Sequence, residues 1–193
     1  MDWARSGDYT VFIILSDAGE VLEIDRFRGI KYSLQRARLQ ALYERHGRPT
    51  ILAEANSMGG PVIEQLTRDG LKIKPFMTTN ASKSEAIEAL ALAFERGEIK
   101  IPNDAALIGE LQAFEAKPLP SGLMRYEAPS GGHDDLVMAL AIGWQGVAGR
   151  KRRTIDPEFM RSIMAISDDL SGGEMDRLPS EYPVGGPDRR WSM

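Results

Sequence analysis

The spacing of apolar and polar positions marks out most of the elements in this chain. Tyr9 to Leu15 is aromatic and β-branched, and Asp17-Ala18-Gly19-Glu20 supplies turn chemistry. Val21 to Phe27 then alternates apolar and charged residues, which predicts an antiparallel hairpin. Ser33 to His46 carries Leu34, Ala37, Leu39, Ala41, Leu42 and Tyr43 as a helix that Gly47 and Pro49 stop. Thr50 to Ala53 is a short apolar run closed by Glu54, a buried strand by its length and bounds. A helix over Val62 to Arg68 follows Gly59, Gly60 and Pro61, and Leu71 to Phe76 reads as a strand.

Ser82-Lys83-Ser84-Glu85 has the form of a capping box, in which the Ser82 hydroxyl and the Glu85 carboxylate exchange bonds with backbone amides. Ala86, Ile87, Leu90, Ala91 and Phe94 continue at helical spacing as far as Gly97. Ile99 to Ile101 predicts a short strand, Ala105 to Phe114 a helix, and Leu123 to Ala128 an edge strand. His133 to Val147 is a final amphipathic helix, entered through Gly131 and Gly132.

A hairpin followed by alternating strands and helices predicts an α/β fold, a mixed β-sheet flanked by helices. No internal repeat is visible. The character changes near Gly149, where Arg150-Lys151-Arg152-Arg153 forms a basic run ahead of a stretch rich in Gly, Pro and Asp. The expected division is a folded domain over residues 1–149. Residues 150–193 then hold the basic run, a short helix near 157–167 and a flexible tail.

Composition narrows the class. The chain has 193 residues, 42% apolar and 27% charged, as ordinary soluble globular proteins do. No apolar run approaches the ~20 residues of a membrane-spanning helix. The first residues, Met1 to Arg5, lack the basic-then-apolar order of a signal peptide. With no cysteine, disulfides and thiolate metal sites are excluded. The net charge of -4 argues against a broad electrostatic footprint for nucleic acid. It is compatible with a carboxylate metal site, which adds negative charge of its own, and with local DNA contact or help from another domain.

Acidic side chains are the candidates for chemistry. Asp2 precedes the first ordered segment and Asp8 the first long strand. Glu54 closes a buried strand, and Asp134 and Asp135 open the last helix. Strand ends and helix starts can converge at one edge of an open α/β sheet. Oxygen ligands there suit hard cations such as Mg²⁺ or Mn²⁺. Two such ions roughly 3.5–4 Å apart can activate water and stabilise the leaving oxygen of a phosphodiester, with Asp2 as the expected bridging carboxylate. Each acid also has a plainer explanation. Asp134 and Asp135 suit the N-terminal dipole of a helix, and capping is the more ordinary role there. Asp8 suits turn chemistry. Glu54 has fewer alternatives, because an unpaired buried carboxylate is costly.

The sequences around these acids carry a resemblance. Asp2-Trp3-Ala4-Arg5-Ser6-Gly7-Asp8-Tyr9-Thr10-Val11 resembles the first acidic motif of phage terminase large subunits, and Ala53 to Val62 (AEANSMGGPV) their second. Thr79-Asn80-Ala81-Ser82-Lys83 is similar to a segment between motifs, and Gly132 to Ala141 (GHDDLVMALA) resembles the third. They occur in order over about residues 2 to 145.

The resemblance implies an RNase H-like fold for residues 1–149 and metal-dependent cleavage of double-stranded, concatemeric viral DNA during packaging. It implies catalytic and metal roles for Asp2, Glu54 and Asp135, with Asp134 also at the metal and two ions, Mg²⁺ or Mn²⁺. Asp8, Lys83 and His133 are secondary positions. Lys83 is placed to meet a phosphate, or is a solvated lysine on its helix. His133 is placed to assist water or phosphate, or is a structural or exposed histidine. Implied partners are the terminase ATPase domain, the small terminase subunit and the portal protein, with no membrane, in the cytoplasm of a bacterial host.

Two departures qualify the resemblance. The phosphate-loop pattern G-x-x-x-x-G-K-[ST] of the packaging motor is missing from this sequence, so ATP-driven translocation is not expected of it. Only Met1 precedes Asp2, so the first strand of the sheet is expected to be truncated. Rival readings are a catalytically impaired prophage fragment that binds DNA or the portal, for which Arg150 to Arg153 is a candidate surface, and another RNase H-like nuclease such as a Holliday-junction resolvase or a transposase.

Overall fold

The computed structural model of the protein describes residues 1, 9–58, 60–120 and 124–153. The expected helix near 157–167 and the tail beyond it lie outside the described residues, as do Asp2 and Asp8.

Strands β1 (Thr10–Leu15) and β2 (Val21–Phe27) form the expected antiparallel hairpin, with Thr10 opposite Phe27 and a register shift between Ile14 and Leu15. Its turn needs Gly19. That residue has φ +91°, and a Cβ there would lie 2.2 Å from the Glu98 carbonyl oxygen. The backbone comes that close because Lys100 bonds to Gly19 and Val21 on either side of Glu20. The expected strand over Ile99 to Ile101 is therefore only a single parallel bridge, Glu20 to Lys100.

Helix α1 (Tyr32–Arg45) leads to β3 (Ile51–Glu54), which pairs in parallel with β4 (Ile73–Phe76), Glu54 opposite Phe76. Between them lie α2 (Ala55–Met58) and α3 (Gly60–Arg68). α3 starts two residues earlier than expected, since Pro61 suits the first turn of a helix. On the other edge of β3, the Met1 amino group donates to Leu52 O at 2.8 Å, and Glu54 N donates to Met1 O at 3.2 Å. Those two bonds form a parallel bridge centred on Ala53. Among the described residues, β1–β2 and β3–β4 are separate ladders. Between them runs an apolar groove lined by Met1, Phe12, Leu15, Leu39, Ile51 and Leu52.

Helix α4 (Asn80–Glu95) corrects the capping assignment. Its N-cap is Thr79, not Ser82. Thr79 Oγ1 accepts from Ser82 N, and Ser82 Oγ accepts from Thr79 N, a box one turn ahead of the Ser82–Glu85 pair. Both patterns meet the same electrostatic need, and the extended backbone at Thr79 decides between them. Helix α5 (Ala105–Ala113) follows, capped by Asp104. Strands β5 (Glu115–Pro118) and β6 (Met124–Glu127) form a small antiparallel hairpin, of which only the second strand was expected.

The core gathers around α6 (Asp135–Arg153), which packs on β1, β3, α4 and α5. Leu136 to Ile142 are buried in unbroken sequence, so this stretch is apolar all round rather than amphipathic. Gly143 and Gly146 let it approach both ladders: a Cβ at either would come within 3.0 Å of Leu15 or Leu52. The helix continues to Arg153, past the expected end at Val147, because Arg and Lys are good helix formers.

Candidate metal centre

β3 ends at Glu54 and α6 begins at Asp135, and these two elements pack against each other. Asp135 is 9% exposed, Glu54 and Asp134 are half-buried, and His133 is 39% exposed at the rim. Asp134 stands immediately before the helix, where its carbonyl accepts from Met138 N at 2.8 Å.

Two hydrogen-bonded links knit this edge together. Asn56, two residues beyond Glu54, clamps Thr78: its Nδ2 donates to Thr78 O and its Oδ1 accepts from Thr78 N, both at 2.8 Å. Thr78 precedes the Thr79 cap of α4. One turn into that helix, Lys83 Nζ donates to Asp134 Oδ2 at 2.8 Å. The segment after Glu54 is thus connected to the Asp134–Asp135 pair through the first turn of α4. The start of β1 reaches the same edge, because the Tyr9 ring meets the His133 ring edge-on at 5.1 Å. His133 Nδ1 in turn lies 3.6 Å from Asp135 Oδ2.

Of the residues singled out from sequence, the structure brings Lys83 to Asp134 and His133 to Asp135, and sets Glu54 beside the backbone of Met1. Asp2 and Asp8 lie outside the described residues. Among the described residues, no group of three or more His, Asp and Glu side chains is placed to hold a metal ion.

The donor chemistry nonetheless fits a hard divalent cation. The acids here offer only oxygen, and the buried Asp135 carboxylate sits at a helix start.

Sequence reasoning overlooked Glu110, Arg26 and Tyr9. Glu110 on α5 is 8% exposed, accepts from Leu136 N at 2.8 Å through Oε2, and accepts from Arg26 Nη2 at 2.8 Å through Oε1. The amide of Leu136, in the first turn of α6, is therefore capped by a distant carboxylate and not by Asp134. Capping had been the plainest explanation for Asp134 in the sequence. The available signal for Glu110 was a lone carboxylate in the apolar segment Ala105-Ala106-Leu107-Ile108-Gly109-Glu110-Leu111.

Beside Lys83 lies an open polar depression of about 360 Å³, lined by Thr78, Thr79, Asn80, Arg125 and Glu127. The β5–β6 hairpin forms one wall. Lys117 bonds Glu127 across the strands at 3.1 Å and Phe114 stacks on Tyr126 at 6.4 Å. The Lys117 hydrogen bond holds the Glu127 carboxyl below its usual range. Burial pushes the Tyr126 hydroxyl up, helped by Glu88, to which it donates at 3.2 Å.

A family model described as the terminase RNase H-like domain matches residues 1–143. The large terminase subunit of Thermus virus P23-45 is 34% identical over 151 residues, which is 77% of this chain and 31% of that protein. The chain therefore spans less than a third of the length of the curated relatives it matches. Among solved structures, the large terminase nuclease of thermophilic phage G20c is similar with a TM-score of 0.69 and 34% identity, covering 75% of this chain and 78% of that one. Its structure with bound magnesium is similar with the same score and identity, covering 75% and 77%.

Proposed function

Because the chain belongs to the terminase RNase H-like domain family, with that fold over residues 1–143, we propose that it is a metal-dependent endodeoxyribonuclease that cuts double-stranded viral DNA during genome packaging. The observation that carries this reading is the hydrogen-bonded path from the segment after Glu54, through the Asn56–Thr78 clamp and the first turn of α4, to the Lys83–Asp134 bond at the start of α6.

Glu54 and Asp135 are the proposed ligands, with Asp134 beside them and Asp2 as the third carboxylate. Asp2 follows Met1 in the sequence, and the Met1 carbonyl accepts from Glu54 N. The ions proposed are a pair of Mg²⁺ or Mn²⁺, which when bound supply Lewis acidity and an activated water at the scissile phosphodiester.

The chain's own groups divide the remaining tasks. Lys83, now paired with Asp134, can turn to a phosphate oxygen when that carboxylate takes a metal. The depression beside it gives the DNA backbone a polar seat. His133, exposed at the rim, can orient water or phosphate, and Asp8 is a further candidate next to Tyr9. The proposed partners are double-stranded DNA and, in the packaging complex, the terminase ATPase domain, small subunit and portal, in the host cytoplasm. No helix of the described residues is long and apolar enough to cross a membrane.

The test is nicking of supercoiled plasmid with Mn²⁺, with Mg²⁺ and with EDTA, by the wild-type chain and by Asp135→Asn. Metal-dependent nicking that drops about 10²-fold or more in the variant is expected, since a metal at the reacting phosphate is worth several kcal/mol. Equal nicking by both chains would overturn the assignment of Asp135. Metal-dependent DNA binding without cleavage would favour a packaging module over an enzyme.

A further inference from the structure

Two acidic side chains are buried among the described residues, Glu110 and Asp135, and Glu110 bonds the amide of Leu136, the residue after Asp135. A carboxylate taken out of water is costly unless charge and hydrogen bonds compensate it. For Glu110 both compensations are present. Arg26 Nη2 bonds Oε1 at 2.8 Å, and Leu136 N bonds Oε2 at 2.8 Å.

The Leu136 amide is one of those that a helix start leaves without an intrahelical acceptor. A residue just before the helix usually supplies the acceptor. Here it comes from α5, 26 residues away, while the Asp134 carboxylate bonds Lys83.

The far side of Arg26 is held as well. Its guanidinium lies 3.7 Å over the Tyr9 ring, Tyr9 packs edge-on against His133, and His133 Nδ1 lies 3.6 Å from Asp135 Oδ2. The contacts close a circuit: Asp135, the adjoining Leu136 amide, Glu110, Arg26, Tyr9, His133, and back to Asp135. The β1–β2 hairpin, α5 and the start of α6 are thus locked around one carboxylate.

We propose that Glu110 is a positioning residue: by capping Leu136 it fixes the first turn of α6, and so holds the Asp135 carboxylate in place to bind a divalent cation. The proposal rests on the reading of Asp135 as a metal ligand. Metal geometry tolerates displacements of about 0.5 Å. Without the Glu110 acceptor, the Leu136 amide is buried and unsatisfied, and the turn carrying Asp135 must shift to reach another partner. The recognised element is the backbone amide, so a neutral acceptor of the same shape keeps most of the effect.

The experiment is calorimetric titration with Mn²⁺ alone, below the melting temperature of every variant, on wild type, Asp135→Asn, Glu110→Gln and Glu110→Met. Groups that orient a metal ligand are typically worth about ten- to a hundredfold in affinity. Glu110→Met is expected to weaken Mn²⁺ binding by that factor, with faster hydrogen exchange at the Leu136 amide. Glu110→Gln, which keeps an acceptor for the Leu136 amide, is expected to bind Mn²⁺ closer to wild type than Glu110→Met does. If Glu110→Met does not fold, Glu110→Asp, one methylene short of the amide, is expected to show the same loss. Variants that lower the melting temperature but bind Mn²⁺ as wild type does would overturn the proposal, because the residue would then be purely structural. Asp135→Asn binding Mn²⁺ as tightly as wild type, or a wild type that does not bind it, would instead remove the metal reading beneath it.

Discussion

Lys83 on α4 donates to Asp134 Oδ2 across 2.8 Å, joining residues 51 apart in sequence at the start of α6. The pair is partly buried, with side chains 20% and 31% exposed. Lys83 therefore neutralises a carboxylate at the proposed metal centre, and a divalent cation must compete with it.

Lys83→Met should tighten Mn²⁺ binding, as removal of a like charge at this range is worth roughly fivefold even with strong screening. The same variant should raise the DNA concentration needed for half-maximal nicking, because a phosphate contact is lost. Calorimetry and a nicking titration measure the two effects separately. An unchanged Mn²⁺ affinity would mean that Lys83 does not compete at the site.

Gly19→Ala should destabilise the domain by about 2–4 kcal/mol, combining left-handed backbone strain with a steric clash. The clash is with backbone, the Glu98 carbonyl at 2.2 Å, so no side-chain rotation relieves it. Differential scanning calorimetry should register a fall of roughly 5–15 °C.

The cap of α4 separates two candidate boxes. Thr79→Ala should cost about 1 kcal/mol and Thr79→Ser much less. Glu85→Ala, on an exposed residue outside the observed box, should stay within about 0.5 kcal/mol of wild type. Urea denaturation of the three variants decides it, and a large loss from Glu85→Ala would restore the box read from sequence.

Glu23 gives the pH dependence. His46 Nε2 lies 2.7 Å from its Oε2 and Arg45 Nη1 donates to Oε1 at 2.7 Å. The His46 hydrogen bond and then the Arg45 charge hold the carboxyl below its ordinary value against burial, which raises it. A carboxyl lowered in the folded state contributes stability above its unfolded value, and loses it as pH falls through the folded one. Glu23→Gln should therefore melt about 1–3 °C below wild type near neutrality, a partly exposed pair being worth at most about 1 kcal/mol. The difference should shrink as the pH falls below the ordinary carboxyl range and through the lowered folded value. A constant difference across that range would show that the charge is not the source.

Much of this architecture was legible in the sequence because its signals are local. The β1–β2 hairpin follows from Asp17-Ala18-Gly19-Glu20 between two β-prone runs, and α4, α5 and β3 follow from apolar spacing and stop residues. β5 was not legible: Glu115 to Pro118 is exposed throughout, so no burial pattern marks it, and it exists by pairing with β6.

The acids Glu54, Asp134 and Asp135 could be named from their neighbours in the chain, since strand ends and helix starts leave local signatures. Which groups meet them could not. The contacts of Glu110 with Leu136, Lys83 with Asp134, and Tyr9 with His133 span many residues and arise only when α4, α5 and the hairpin pack around α6. The sequence determined the elements and the candidate ligands through short-range turn, capping and periodicity rules. The tertiary structure decided which charge balances which and which carboxylate caps α6, because a buried charge takes whichever partner packing brings within hydrogen-bonding distance.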